Sequence, residues 1–213
     1  DQMYKSSPTI KETNEMQNQK TRELAKSSKN EQKRLWKAAI KWPLYSVAIM
    51  PILIATGWTY AIGEVIRWEQ LFGFLLAAIL LLLWENLTND LFDADTGVDQ
   101  FKFHSIVALT GKRRLVQKLA YIALGCGLLL MFFLAKRSDW SVLTLVISCC
   151  CLGYLYQGPP FRLGYQGIGE PLCWLAFGPF ATAASLLVIS EVNNYESGIP
   201  WSTAFLIGTG PAL

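Results

Sequence analysis

The sequence predicts an all-α fold, a polytopic transmembrane helical bundle. Three observations carry that prediction. Of 213 residues, 52% are hydrophobic and 16% charged, with a mean hydropathy of +0.29, whereas a soluble domain carries about 25% charged residues. The apolar residues gather into long runs instead of alternating with polar ones, and about 20 such residues span a bilayer as a helix. Threading those runs back and forth puts 16 of the 19 Lys and Arg on one side, the bias that marks cytoplasmic loops. This composition excludes a disordered chain and a simple soluble globule, and a net charge of +3 is too small to point to nucleic acid.

Residues 1–36 form a basic tail. Ten Lys and Arg fall before Trp42, among Ser, Asn, Gln and Glu, with few apolar residues before Leu35. Such a segment cannot bury enough apolar surface to order itself, so a solvated, largely disordered tail is expected. It has no apolar stretch of a secretory signal, and its acids (Asp1, Glu12, Glu15, Glu23, Glu31) argue against a transit peptide. Residues 37–213 are the membrane domain. Its apolar runs are Tyr45–Ile62, Leu71–Trp84, Leu119–Ala135, Val142–Leu155, Leu172–Ile189 and Trp201–Leu213. Backbone groups in lipid need internal partners, so the runs are helices, five complete and part of a sixth. The second and fourth reach spanning length if helix continues through Glu85–Phe92 and Gly153–Tyr156. The charge bias puts the N-terminus and the loops 86–118 and 157–170 on the cytoplasmic side, leaving only Arg67, Lys136 and Arg137 opposite. Cys126, Cys149, Cys150, Cys151 and Cys173 all fall in apolar runs and read as buried structural thiols. His104, alone in a basic loop, reads as solvated.

The informative segment runs from Glu85 to Asp99. Asp90, Asp93, Asp95 and Asp99 crowd the cytoplasmic end of the second run. Asn86, Asp90 and Asp93 are spaced i, i+4, i+7, and Asn89 precedes Asp93 by four. On a helix these four share one broad face, with Gly97 as a plausible stop. Left alone, the carboxylates repel one another, and a divalent cation would relieve that. Oxygen ligands without His or Cys favour Mg²⁺, Mn²⁺ or Ca²⁺ over zinc. An EF-hand fails on spacing: counted from Asp93, position 5 is Gly97 and position 12 is His104. Open coordination sites on a helix suit Mg²⁺ shared with the phosphate oxygens of a ligand. The plainer alternative is an acidic helix end solvated at the interface.

The second loop, Tyr154 to Glu170, is rich in Gly, Pro and Tyr and holds one Arg. It reads either as a helix-breaking connector or as a rigid cap over the acidic cluster, with Arg162 meeting a phosphate and Tyr156 or Tyr165 lining an aromatic site.

Together the two loops resemble the UbiA-type membrane prenyltransferases. The family's Asn-Asp-x-x-Asp motif is matched by Asn89-Asp90-Leu91-Phe92-Asp93, and the continuation through Gly97 to Asp99 is similar to the 1,4-dihydroxy-2-naphthoate branch. Gly158-Pro159-Pro160-Phe161-Arg162-Leu163-Gly164-Tyr165, Gly167 to Glu170, Phe177-Gly178-Pro179 and the start at Trp36 to Met50-Pro51 are similar to the same branch, most like its cyanobacterial or plastid phytyltransferases. The resemblance covers about residues 35–213. It implies a nine-helix bundle in a plasma or thylakoid membrane, with its site on the cytoplasmic or stromal side. It also implies a Mg²⁺-dependent reaction in phylloquinone or menaquinone biosynthesis. A phytyl or polyprenyl diphosphate ionises, 1,4-dihydroxy-2-naphthoate attacks the allylic carbon, and CO₂ is lost.

By the same resemblance Asn89, Asp90 and Asp93 are catalytic and hold the metal together with Asp99. Asn86, Lys41, Lys112, Arg162, Tyr156 and Tyr165 bind substrate. For Lys112, Arg113 and Arg114 the plainer role is that of a topology anchor. The family's second Asp-rich motif, after the sixth helix, has no counterpart after Glu170. The expectation is therefore a chain truncated at its C-terminal end, the N-terminal portion of an active protein. The competing readings are an aromatic prenyltransferase with a homogentisate or 4-hydroxybenzoate acceptor, a membrane cation transporter lined by the acidic face, and a helical subunit that binds partner proteins through its tail.

Overall fold

In the computed structural model the described residues are 30, 31, 34, 42–96, 106, 112–191 and 198–210, with backbone only at 42–44, 95 and 96. Six apolar helices follow one another. They are α1 (Trp42–Ala61), α2 (Trp68–Thr96), α3 (Arg113–Arg137), α4 (Ser141–Gln157), α5 (Gly169–Ile189) and α6 (Trp201–Gly208). No strand occurs among the described residues. Each helix falls on one of the apolar runs. The second and fourth runs continue as helix past their apolar stretch, α2 through Phe92 to Thr96 and α4 through Tyr156 to Gln157. Helices α2, α3 and α5 are each long and apolar enough to cross a membrane, and α1 and α4 are shorter apolar helices. Of the basic tail, only Asn30, Glu31 and Arg34 are described; they are helical and exposed. The rest of the tail's predicted disorder lies outside the described residues, as does His104.

Helix α5 is the centre of the bundle. All its residues from Thr182 to Ile189 are buried, because it packs against α1, α2, α4 and α6 at once. A helix that is apolar all round needs such a position. Its middle, Ala176–Phe180, is a π-helical turn around Pro179. Proline cannot donate to the helical ladder, and the wider turn absorbs the missing bond. Helices α2 and α3 run side by side. Trp84, Leu87 and Leu91 of α2 meet Val116, Ala120 and Ala123 of α3. Two hydroxyls of α1 are satisfied locally: Thr56 and Thr59 donate to the carbonyls of Ile52 and Ala55 at 2.7 and 2.8 Å.

The outside of the bundle is greasy. Leu53, Tyr60, Phe72, Leu76, Tyr121, Ile122, Leu129 and Phe133 are exposed, as lipid-facing side chains are when there is no water to avoid. Cys126 and Cys151 are exposed with them, and Cys149, Cys150 and Cys173 are half-buried. The expectation of buried thiols is corrected: small polarisable side chains are as stable facing lipid or a cavity as in a packed core. At the end away from the acidic cluster, Arg67 Nη2 donates to the carbonyl of Arg137 at 2.9 Å, a cation on an α3 C-terminus.

Candidate functional site

Helix α2 explains how an acidic cluster can end a membrane helix. Its 29 residues make it roughly 43 Å long at 1.5 Å per residue, against about 30 Å of hydrocarbon. With Trp68 at the far boundary, Glu85 lies inside the apolar layer and Asp93 beyond it. The carboxylates sit where charge is tolerated, and the polar side chains just below them need partners.

Asp93 has those partners on the loop after α4. Its Oδ1 accepts from Arg162 Nη2 at 2.6 Å and from the Tyr165 hydroxyl at 3.0 Å. The Arg162 guanidinium also stacks 4.5 Å from the centre of the Tyr165 ring. The carboxylate is nearly sealed, with side-chain exposures of 15% for Arg162 and 5% for Asp93. A pair this buried loses about 3–5 kcal/mol if one partner is removed, because the other charge is stranded. The loop is built to aim Arg162. The chain leaves α4 at Gly158, whose Cβ, if present, would fall 2.7 Å from the Tyr154 ring and carbonyl. It passes a cis Pro159–Pro160 bond, and the Arg162 amide closes back on the Gly158 carbonyl at 2.9 Å. Arg162 itself takes a left-handed backbone, φ 44°, which costs a non-glycine residue about 1–3 kcal/mol and persists only where surrounding contacts hold it. Burial, and after it the hydrogen bond to Asp93, hold the Tyr165 hydroxyl above its ordinary phenol pKa.

The other residues of the acidic face fan out. Asp90 is buried, and its Oδ2 accepts from the Ile106 amide at 2.8 Å, tying the α2–α3 connection to α2. Asn86 is buried and shares a side-chain hydrogen bond with Tyr45 of α1. Asn89 is half-buried, on the turn between Glu85 and Asp93. Thus the structure brings Asp93, Arg162 and Tyr165 together, while Asp90 and Asn86 of the same face reach other elements. Tyr156 stands apart from that triad. Its ring is wedged where Cβ atoms on Gly164 and Gly169 would approach to 2.8 and 2.9 Å, and it lines a cavity below. Lys112 is exposed at the start of α3. Lys41 and Asp99 lie outside the described residues.

The donors on α2 are oxygens only, the chemistry a hard cation such as Mg²⁺ requires. No three His, Cys, Asp or Glu side chains converge among the described residues. The two bonds to Asp93 Oδ1 do not exhaust the roughly four lone-pair sites of a carboxylate, so the donor set fits a cation.

Below the triad lies an apolar cavity of about 100 Å³, open to one side. Ile52 of α1, Phe74, Leu81 and Glu85 of α2, Cys149, Gly153 and Tyr156 of α4, and Cys173 and Phe177 of α5 are among its walls. Its roof is braced by Gln157, which sequence reasoning passed over. Gln157 Nε2 donates to the Glu85 carbonyl at 3.0 Å and to Thr88 Oγ1 at 2.9 Å. The signal was present: a lone amide at the end of an apolar helix has to find partners. Glu85, read only as the first residue of the acidic segment, is the single acid in the cavity wall among the described residues.

The sequence comparisons agree in kind. The model of the UbiA prenyltransferase family matches residues 48–212. A 2-carboxy-1,4-naphthoquinone phytyltransferase of Synechocystis is 46% identical over 174 residues, covering 81% of this chain and 57% of that protein. The chloroplastic protein of the same name from Arabidopsis thaliana is 41% identical over 187 residues, covering 85% and 48%. A 1,4-dihydroxy-2-naphthoate octaprenyltransferase of Mycobacterium tuberculosis is 30% identical over 138 residues, covering 63% and 47%. The chain thus spans about half the length of these relatives. No solved structure gives a significant match.

Proposed function

The chain belongs to the UbiA prenyltransferase family and is an integral membrane protein, and from that premise we propose that the whole protein transfers a phytyl or other polyprenyl group from its diphosphate to 1,4-dihydroxy-2-naphthoate in quinone biosynthesis. The observation that carries this reading is the stacking of two environments. A carboxylate, a guanidinium and a phenol meet at the end of α2, directly above an apolar cavity. A prenyl diphosphate has the same division, a polyanionic head and a long apolar tail. The names of the relatives support the acceptor class.

In this reading Asn89, Asp90 and Asp93, with Asp99, hold Mg²⁺. Bound there, the ion would supply Lewis-acid stabilisation of the diphosphate leaving group. Arg162 has five donors, so its bond to Asp93 and a bond to a phosphate oxygen are compatible; such charge-assisted bonds are among the stronger ones. Tyr165 holds both charged groups in register. The apolar walls keep water from the allylic cation, which water would otherwise capture. The reaction balances as follows. The allylic C–O bond breaks and diphosphate leaves with the electron pair. The ring carbon bearing the carboxylate forms the new C–C bond, and CO₂ departs, returning its bonding pair to the ring. An electron-rich ring is needed for that attack, which favours the dihydroxy form over the quinone. The excess of Lys and Arg supports a site on the cytoplasmic or stromal side.

The test uses membranes carrying the full-length protein. With phytyl diphosphate, 1,4-dihydroxy-2-naphthoate and Mg²⁺, the decarboxylated prenyl product is expected, and Asp93→Ala abolishes it. Absence of product with every prenyl donor tried, or an Asp93→Ala protein of normal activity, overturns the reading. Replacing the acceptor with its quinone, homogentisate or 4-hydroxybenzoate checks the ring assignment.

A further inference from the structure

Glu85 has no role in the chemistry above, yet its place is unusual. It sits one helical turn below Asn89 and two below Asp93, on the part of α2 that lies within the apolar layer. Among the described residues its carboxyl makes no hydrogen bond or ion pair, and the cavity wall it belongs to contains no Lys, Arg or His. Ionisable side chains at membrane depth are rare and face a cavity or a partner. A cavity that served only a prenyl tail would be better lined by leucine, since a buried polar group without a hydrogen bond is unfavourable.

The surroundings keep this carboxyl in place. The backbone of Glu85 is clamped by Gln157 through its carbonyl oxygen, so α2 and α4 cannot slide past one another at this level. The side chain has room only because residue 153 is glycine: a Cβ there would fall 2.8 Å from Glu85 Oε1. Tyr156, one turn further along α4, lines the same space.

We propose that Glu85 binds the aromatic acceptor, its carboxyl hydrogen-bonding a ring oxygen of the acceptor held in the cavity bounded by α1, α2, α4 and α5. This rests on the prenyltransferase reading and names the subsite that reading lacks. The spacing suits it. One turn of helix separates Glu85 from Asn89, roughly 6 Å of rise, and two turns separate it from Asp93, roughly 12 Å. That rise is comparable to the length of a bicyclic ring lying between a carboxyl at the lower level and an allylic carbon attached to a diphosphate at the upper one, in a cavity that is open on one side. A hydroxyl on the ring meets a hydrogen-bond acceptor, and an acceptor analogue without ring oxygens leaves the carboxyl unpaired. The discrimination between them is therefore large, as it is for any site built around a buried polar group. Glu85 is a positioning and specificity residue here; it exchanges no atom with the substrate.

The experiment measures KM separately for acceptor and donor, in membranes carrying full-length wild type, Glu85→Leu, Glu85→Gln and Gly153→Ala. Glu85→Leu is expected to raise the acceptor KM at least about tenfold while the prenyl diphosphate KM stays within about twofold. Glu85→Gln, which keeps a hydrogen-bonding head of the same size, restores most of the acceptor affinity. Gly153→Ala, which crowds the carboxyl from the facing helix, repeats the Leu phenotype in weaker form. An unchanged acceptor KM in Glu85→Leu, or a parallel rise in both KM values, overturns the inference. Wild-type protein that prenylates no hydroxylated ring removes the functional reading instead, so the two failures are distinct.

Discussion

Two levels of the same helix pair, α2 and α4 with the loop that follows, are held in opposite ways. At the upper level, directional bonds do the holding: Asp93 to Arg162 and Tyr165, and Gln157 to Thr88 and the Glu85 carbonyl. Below, around Phe74, Leu81, Val146 and Ala184, the walls are apolar and enclose empty space. Packing of that kind depends on volume and hardly on direction. The comparison teaches that the upper level is intolerant of small chemical changes and the lower level of polar ones, while apolar exchanges below are mild.

The most severe break is at the top. Asp93→Ala removes a proposed cation ligand and strands the Arg162 charge, and prenyl transfer in membranes is expected to fall about 100-fold or more. Next is Arg162→Lys. Lysine keeps the charge but cannot make the contact to Asp93 together with the planar stack on Tyr165. Loss of a hydrogen bond to a charged group amounts to about 1.5–3 kcal/mol, so activity is expected to drop roughly tenfold or more.

Two glycine substitutions sharpen the comparison directly. At Gly164 a methyl group would lie 2.8 Å from the wedged Tyr156 ring, and thermal unfolding in detergent is expected to report a loss of about 1–3 kcal/mol. At Gly127 of α3 the nearest atoms are Cδ2 and Cγ of the Leu81 side chain, at 2.8 and 2.9 Å. That side chain can swing into the cavity it lines, and alanine is the better helix former by about 1 kcal/mol. Gly127→Ala is therefore expected to be nearly neutral in the same assay. A Gly127→Ala protein as unstable as Gly164→Ala would show that the lower level is as rigid as the upper.

The smallest effect belongs to Tyr165→Phe, which loses one hydrogen bond on a half-exposed ring, less than about 1.5 kcal/mol. Its value is the pH dependence. The Tyr165 pKa is raised in the folded protein, first by burial and then by Asp93. A raised pKa means that the contribution is complete below the unfolded phenol value near 10 and is lost as pH rises above it. The stability gap between wild type and Tyr165→Phe is thus expected to be constant through neutral pH and to close above about pH 10. A gap that instead opened there would reverse the assigned cause.

The fold was legible because membrane insertion simplifies the code. Each apolar run became one helix, and even the extensions of α2 through Phe92 and of α4 through Tyr156 followed from the length a span needs. The acidic face was legible in part. Its spacing put Asn86, Asn89, Asp90 and Asp93 on one side of α2, but periodicity says nothing of which neighbour each residue meets. Asn86 turns to Tyr45, Asp90 to the Ile106 amide and Asp93 to Arg162, because three different elements surround the end of one helix. Glu85 and Gln157 were missed for a related reason: each looks like an ordinary polar residue at the end of an apolar stretch.

The sequence by itself determined the elements, their number and the sorting of charge to one end. Those follow from the hydrophobic effect and the need to satisfy every backbone group in lipid, both of which act locally along the chain. Only the tertiary structure decided that Arg162 closes on Asp93 across 69 residues, and that Glu85 faces a cavity instead of a partner. Contacts of that kind depend on how helices cross and where a glycine leaves room, and no single segment carries that information.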